Sequence, residues 1–386
     1  MTNPRILLLF AVAALTLAGC GDDSAAPPAA AAWTVGAPIP AERIKIGVVY
    51  ISDPKQEKSG YSREHYVGIA AMQKTLHLRD DQILTRTDVS DAEPRIVEFA
   101  LRELITLGAN VIFATSFNYM DVCEQLAAEF PNVIFAHCSG YKFNERNFTN
   151  YFGRIYQAWY LSGIVAGLST QTGKIGYVVA FGAENSECSG CLNAFALGAA
   201  SVNPQAQIWT RVVNNWFDPP TEALAANELL SAGCDIIVQH TDSPRSLLEA
   251  QKAGARGLGY NSNMRVEAPD AVLASAVWNW GAYYTACVRS VIDGSFTTRP
   301  YFGGIAEGLL DLTPLNETLV TPDLATVIKQ KVDAARAAMR HGQFNVFDGE
   351  IKTNDGKIIG AAGKTLSDAD IRQNIHWYGE NVRELP

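Results

Sequence analysis

The sequence has few of the features that metal centres and nucleic-acid interfaces need. Its 6 histidines are scattered without a His-x-x-x-His spacing, so a zinc site is not expected. It carries 31 Lys and Arg against 40 Asp and Glu, a formal net charge of −9, and no basic run, which argues against binding to phosphate backbones. Because 48% of the residues are hydrophobic, large cores can form, and disordered, collagen-like and coiled-coil classes are excluded.

A long apolar run occurs only at the start of the sequence. Residues 6–17 follow Arg5 and precede Leu-Ala-Gly-Cys, ending at Cys20. The run is shorter than the roughly 20 residues that cross a bilayer, and its pattern is that of a bacterial lipoprotein signal. We therefore expect a signal peptide at residues 1–19, a lipidated Cys20, and an Ala- and Pro-rich tether over residues 20–43. The folded body would then lie on the periplasmic side of a bacterial membrane, anchored by lipid.

Beyond residue 43, short apolar runs alternate with segments of helical periodicity. Continuous apolar strands between amphipathic helices predict parallel sheets covered on both faces. About ten such strands are more than a single sheet usually contains, so two α/β lobes are expected. The division places the first lobe at residues 44–156, with a returning segment near 279–300, and the second lobe at 157–278. Residues 301–386 would supply a crossover, C-terminal helices and a hairpin.

Aromatic and carboxamide side chains recur where the predicted strands end. Ligands of such sheets bind at the carboxyl ends of the strands, so these residues are candidates for a binding site. Flat aromatic walls suit a planar heterocycle, since stacking contributes roughly 1–3 kcal/mol per base. An Asn carboxamide can also pair with the N6/N7 edge of adenine. For any single aromatic residue, packing between the lobes is an equal alternative.

Several motifs occur in the order found in one known family. They are Gly-Ala-Asn-Val-Ile-Phe-Ala-Thr-Ser-Phe at 108–117, Phe-Pro-Asn-Val at 130–133, Tyr-Leu-Ser-Gly at 160–163, Ala-Ala-Ser-Val-Asn-Pro at 199–204, Trp-Phe-Asp-Pro at 216–219, Gln-His-Thr-Asp-Ser-Pro at 239–244 and Val-Trp-Asn-Trp-Gly at 277–281. With these motifs the chain resembles the basic membrane lipoprotein family of ABC-transporter substrate-binding proteins, which includes purine nucleoside receptors, in a branch with a Trp-Asn-Trp motif.

The resemblance implies a type I periplasmic-binding-protein fold. This fold has two doubly wound parallel-sheet lobes joined by a three-crossover hinge, with the ligand held between the lobes. It further implies a monomeric binding protein, not an enzyme, that needs no cofactor or metal. Its partners would be a small purine ligand and an ABC permease in the membrane, and not nucleic acid.

Two departures from the family bear on the ligand. The nucleoside-binding branch holds the ribose hydroxyls with an Asp and a Lys, and the aligned positions here are Asn261 and Trp278. Loss of both charges removes the sugar clamp, and the indole would fill space that a ribose needs. The sequence therefore favours a bare nucleobase, with adenine as the best candidate, and a purine nucleoside is the alternative.

The predicted ligand-binding residues come from both lobes. The first lobe would supply Tyr61 and Phe117 as aromatic walls and Ser62 as a weaker polar contact. The second lobe would supply three further aromatic residues and two base-edge hydrogen-bonding groups. These are Phe181, Trp216, Trp278, Asp242 and Asn261.

Two alternatives belong to other functional classes. With Cys20 lipidated, six of the seven cysteines remain, and Cys188 and Cys191 form a Cys-x-x-Cys between a predicted strand and a helix. Such a pair could serve a thiol–disulfide oxidoreductase, although a structural loop disulfide beside the cleft is favoured. A purine-cleaving or deaminating enzyme would need an acid near the base, and Asp242 or Glu184 could supply it.

Overall fold

The computed structural model describes residues 35–385. The predicted signal peptide, Cys20 and most of the tether lie outside these residues. Within residues 35–385, no helix is long and apolar enough to cross a membrane.

The described chain alternates strands and helices along most of its length. The strands are β1 (Ile46–Val49), β2 (Ile83–Arg86), β3 (Val111–Ala114), β4 (Ile134–Cys138), β5 (Phe148–Gly153), β6 (Lys174–Val179), β7 (Gln207–Val212), β8 (Ile236–His240), β9 (Arg256–Asn261), β10 (Val272–Trp278), β11 (Tyr301–Gly303), β12 (Leu310–Leu312), β13 (Asp348–Lys352), β14 (Ile358–Thr365) and β15 (Val382–Glu384). The helices are α1 (Tyr61–Thr75), α2 (Pro94–Thr106), α3 (Met120–Glu129), α4 (Tyr156–Ser169), α5 (Ser186–Val202), α6 (Pro219–Ser231), α7 (Arg245–Lys252), α8 (Trp280–Asp293), α9 (Pro322–Arg340) and α10 (Asp368–Gln373).

Two large sheets organise these elements into two lobes. The first sheet has the order β11-β5-β4-β3-β1-β2 and is parallel throughout. The second has the order β12-β10-β9-β8-β6-β7-β15, in which only the pairing of β12 with β10 is antiparallel. Strands β1, β3, β4 and β8 are buried at every residue, because helices cover both faces of each sheet. The predicted two-lobed α/β class is confirmed.

The chain crosses between the lobes at three places. It leaves the first sheet after β5, returns after β10, and leaves again between β11 and β12. The three connections lie side by side, since β11 pairs with β5 and β12 pairs with β10. This arrangement is the expected three-crossover hinge of a type I periplasmic-binding fold.

The C-terminal residues tie the second lobe to the hinge and to the first lobe. Strand β15 extends the second sheet beside β7, while β13 and β14 form a separate two-stranded sheet. The Asn193 side chain of α5 donates to the Trp377 carbonyl and accepts from the Gly379 amide, both at 2.8 Å. Helix α10 contributes a salt bridge of 2.6 Å between Asp368 and Arg154, which lies at the first crossover. Arg372 donates to the Gly140 carbonyl of the first lobe at 2.9 Å.

Helices α4 and α5 of the second lobe approach each other through glycines. A Cβ atom added to Gly163 of α4 would lie 2.1 Å from the Phe195 carbonyl oxygen, and one added to Gly198 of α5 would lie 2.1 Å from the Tyr160 carbonyl oxygen. The contact involves backbone atoms on both sides, so side-chain rotation cannot relieve it. These glycines therefore set the distance between the helix that begins the second lobe and the helix that borders the cleft.

We expect Gly163→Ala to destabilise the protein by about 3 kcal/mol, because the added methyl group forces α4 away from α5. Urea denaturation measures this loss as a fall in the free energy of unfolding. The matched control is Gly190→Ala within α5, where the added Cβ would meet its nearest atom at an ordinary 3.5 Å. The control should be neutral or slightly stabilising, and equal effects of the two variants would contradict the close helix contact.

Candidate ligand-binding site

The candidate site lies between the lobes, at the carboxyl ends of the parallel strands. The loop after β1 and the first turn of α1 bring the first lobe against the second. The Gly60 amide donates to Ser262 Oγ at 2.9 Å, and Ser59 Oγ donates to Glu267 Oε1 at 2.9 Å. These bonds join residues about 200 positions apart and close one side of the cleft.

The second-lobe half of the site is a connected group of the predicted residues. Asn261 ends β9 with a positive φ of 66°, and its Nδ2 donates to Asp242 Oδ1 at 2.7 Å. The Asp242 amide in turn donates to the Trp216 carbonyl at 2.7 Å. The Trp216 ring meets Phe181 edge to face, with a centroid distance of 5.8 Å. The structure thus brings the two base-edge candidates and two aromatic candidates together.

The first-lobe half consists of Tyr61 and Ser62 at the start of α1. Tyr61 is half-buried, and its hydroxyl donates to Cys138 Sγ at 3.4 Å at the end of β4. Ser62 is 1% exposed and accepts a hydrogen bond of 2.8 Å from Ser52, so its hydroxyl already has a protein partner. Burial raises the pKa of Tyr61, and the Asp242 carboxyl contributes to that rise from the opposite lobe. Tyr61 of the first lobe therefore lies close enough to Asp242 of the second for the carboxyl charge to act on its hydroxyl.

Trp278 lies in a stack of three rings at the hinge. Its indole stacks on Trp280 at 4.3 Å and 14°, and Trp280 stacks on His65 of α1 at 4.5 Å and 16°. Phe152 of β5 packs against Trp278 at 5.0 Å. Trp278 is 2% exposed, and its indole N–H has no acceptor among the described residues. The residue is thus built into the crossovers, where it fills space beside the cleft.

Phe117 is the predicted wall residue that the structure leaves outside this group. It begins a short 3₁₀ turn after β3, is 48% exposed, and makes its ring contact with Tyr141 at 6.4 Å. The carboxyl end of β3 places it on the correct edge of the sheet, but its ring is at the surface.

Two carboxyl groups at the site have strongly altered acidity. Burial raises the pKa of Asp242 to about 7, against the opposing hydrogen bond from Asn261, and the nearby Glu222 and Glu57 carboxyls raise it further. Burial likewise raises the pKa of Glu187 to about 7, with a further contribution from Asp242. Both groups are therefore partly protonated near neutral pH, which is typical of a functional site.

Sequence reasoning missed several residues of the site. Glu187 lies in the first turn of α5, where the Asn185 cap holds its amide at 3.0 Å, and the Tyr260 hydroxyl points to its carboxyl at 3.5 Å. First-turn acids are ordinarily solvated charges near the helix N-terminus, so the sequence offered no signal for a half-buried one at the site. Trp280 and Tyr260, in contrast, adjoin predicted residues: Trp280 belongs to the motif at 277–281, and Tyr260 precedes Asn261 in β9.

The prediction for the cysteine pair was wrong. Cys188 and Cys191 are free and buried, and they lie within α5 instead of in a loop. Burial raises the pKa of both thiols well above the ordinary value, so both are protonated near neutral pH and neither is a reactive thiolate. Among residues 35–385, no group of three or more His, Cys, Asp or Glu side chains is arranged to hold a metal ion.

Comparison with known proteins identifies relatives over most of the chain. A family described as ABC transporter substrate-binding protein PnrA-like matches residues 45–333. A protein named purine-binding protein from Brucella abortus is 33% identical over 327 residues, which cover 85% of this chain and 89% of that protein. A Haloferax volcanii protein, provisionally named an ABC transporter glucose-binding protein, is also 33% identical, over 81% of this chain and 76% of its own length.

Solved structures support the same fold. A solute-binding protein of an ABC transporter system from Conexibacter woesei superposes with a TM-score of 0.63 over 78% of this chain and 98% of its own, at 19% identity. At that identity the likeness concerns the fold alone.

The raised pKa of Glu187 makes stability depend on pH. The folded protein holds this proton up to about pH 7, whereas the unfolded chain releases it near the ordinary value of 4.5. The folded state thus binds more protons in this window, and the free energy of unfolding falls as the pH rises through it. We expect Glu187→Gln to unfold at a temperature several degrees higher than the wild type above about pH 7, with a smaller difference near pH 5.

Scanning calorimetry across that pH range measures the difference. Glu187→Asp keeps a carboxyl group and should keep the decline in stability. A Gln variant that follows the wild type at every pH would contradict the raised pKa of this carboxyl.

Proposed function

Because the chain belongs to the PnrA-like family of ABC transporter substrate-binding proteins, we propose that its cleft binds a purine nucleobase, with adenine as the preferred ligand. The observation that carries this proposal is the group formed by Asn261, Asp242, Trp216 and Phe181, with Tyr61 facing it from the first lobe. A polar edge beside aromatic rings suits a flat heterocycle with ring nitrogens and an amino group. The name of the Brucella relative points to the same class of ligand.

Asn261 and Trp278 stand where the nucleoside-binding branch holds the ribose, and their environment favours a nucleobase over a nucleoside as the ligand. Trp278 is held in the ring stack and has no charge to offer a ribose hydroxyl. Asn261 is 0% exposed, and its side-chain amino group donates a hydrogen bond to Asp242. A ribose would therefore meet an indole and a neutral carboxamide instead of two charged partners, and adenosine should bind weakly.

We propose that the protein acts by binding alone. The thiols of Cys188 and Cys191 are buried with raised pKa values, which opposes a thiol–disulfide oxidoreductase. Glu184, a candidate acid for a purine-cleaving enzyme, is exposed and accepts a hydrogen bond from the Gly182 amide in its own loop at 2.9 Å. Ligand binding would favour closure of the lobes, and the closed form would dock on the membrane permease.

The family is extracytoplasmic, and we propose that this member is held at the periplasmic side of a bacterial membrane by a lipid on Cys20. The sequence pattern at residues 6–20 supports this anchor.

Calorimetric titration with adenine, adenosine, guanine, hypoxanthine and glucose tests the ligand. Adenine should bind, and adenosine should bind at least about tenfold more weakly, because the clamp for its sugar is lost. Adenosine binding that equals or exceeds adenine binding would contradict the argument from Asn261 and Trp278. Binding of glucose alone would overturn the purine assignment, and recovery of chemically altered adenine would overturn the non-enzymatic one.

Membrane fractionation of bacteria that express the full sequence tests the anchor. The wild-type protein should remain in the membrane fraction, whereas Cys20→Ser should appear in the soluble extracytoplasmic fraction, since the lipid attachment site is lost. Cys188→Ser controls for the loss of a cysteine and should fractionate like the wild type. Identical fractionation of the Cys20 variant and the wild type would contradict lipidation.

A further inference from the structure

The two carboxyl oxygens of Asp242 differ in their hydrogen bonding, because one accepts a hydrogen bond from the protein and the other does not. Its Oδ1 accepts the 2.7 Å hydrogen bond from Asn261 Nδ2, and its backbone is fixed by the bond to the Trp216 carbonyl. Within residues 35–385, Asp242 Oδ2 accepts no hydrogen bond from a side chain or an amide, and the residue is half-buried. This second oxygen is therefore the atom left for a ligand.

The neighbouring carboxamide adds an unsatisfied acceptor. Asn261 is 0% exposed, and its Oδ1 has no hydrogen-bond donor in the described part of the chain. A buried amide oxygen without a partner is costly, so a ligand that donates a hydrogen bond there would be favoured. The two residues together form a polar edge built for hydrogen bonding.

The charges around Asp242 are negative on every side that the structure describes. Glu57 follows β1 in the first lobe, Glu187 begins α5, and Glu222 lies in α6, where it accepts from Ser243 Oγ at 2.5 Å. None of these three acids, nor Asp242 itself, forms a salt bridge with a described Lys, Arg or His side chain. The other titratable groups near Asp242 include Tyr61, Tyr260 and Cys188, which are neutral at pH 7 because burial raises their pKa values. His240, at the end of β8, is also neutral because burial lowers its pKa to about 3.

The Asn261 hydrogen bond stabilises a negative charge on Asp242, but no cation among residues 35–385 forms a salt bridge with this carboxyl. We propose that Asp242 determines base specificity by binding the ligand as a neutral carboxylic acid, whose Oδ2–H donates to a ring nitrogen while Asn261 Oδ1 accepts from the adjacent amino group. The inference deepens the proposed function and rests on it. The raised pKa of Asp242, about 7, is consistent with a protonated carboxyl under ordinary conditions.

The protonation state matters because it changes which base edge fits. With Asp242 neutral, its Oδ2–H and the Asn261 Oδ1 atom present one donor and one acceptor, which complement the acceptor N7 and the amino group N6 of adenine. With Asp242 ionised, both atoms are acceptors, so Oδ2 faces the lone pair of adenine N7, whereas the two acceptors complement the two adjacent N–H donors of guanine. Loss of the proton should therefore weaken adenine binding and favour guanine.

The test is calorimetric titration of the full protein with adenine from about pH 5.5 to about pH 8.5, with guanine measured by competition. We expect the affinity for adenine to be level below about pH 6.5 and to fall by about tenfold per pH unit above pH 7, since binding then takes up a proton. The ratio of guanine to adenine affinity should rise over the same range.

Two substitutions separate this role from a structural one. Asp242→Asn carries a donor and an acceptor at every pH, so its adenine binding should be independent of pH and stronger than that of the wild type at pH 8.5. The exposed Asp270→Asn in the same lobe should keep the wild-type profile.

Three outcomes would overturn the inference or its basis. An adenine affinity that does not change with pH in the wild type would contradict it, as would an Asp242→Asn variant that loses affinity equally at every pH. Absence of binding by any purine base at any pH would instead refute the proposed function on which the inference rests.

Discussion

The hydrogen bond from Asn261 to Asp242 is the interaction on which the rest of the site depends. It fixes the orientation of both side chains at the carboxyl end of the second sheet, and it leaves one oxygen of each without a protein partner. Glu57, Glu187 and Glu222 surround the pair, so the charge on Asp242 is opposed and not neutralised. Under the proposed function, such a site would select ligands by the pattern of their donors and acceptors more than by their net charge.

The hinge contributes the second constraint, which is the size of the cleft. Trp278 and Trp280 stack at the second crossover, and His65 of the first lobe continues the stack. Because both indoles are buried, this end of the cleft is filled by the protein itself. The same rings join the lobes close to the crossovers, where rotation during closure displaces atoms least. Stacking thus keeps the hinge packed while it fills this end of the cleft.

Much of the fold and part of the site could be predicted from the sequence. The sequence of residues 246–253 and of residues 322–340 has a strong helical periodicity beside Pro or Gly, and these segments correspond to α7 and α9. Strand β5 was not predicted because its sequence, Phe-Thr-Asn-Tyr-Phe-Gly, has polar residues that are buried in the sheet. The Cys188 pair was placed in a loop because Asn185, which caps α5, was not recognised as a helix start. Glu187 could not be found, since only tertiary packing distinguishes a half-buried first-turn acid from a solvated one.

Small-angle X-ray scattering with and without saturating adenine tests most directly whether the ligand is held between closing lobes. The structure has the closed contacts of Gly60 with Ser262 and of Ser59 with Glu267. We predict that adenine lowers the radius of gyration and brings the scattering curve to the one calculated from residues 35–385 of this structure. Adenine that binds without any change in scattering would contradict ligand-driven closure and place the base outside the cleft between the lobes.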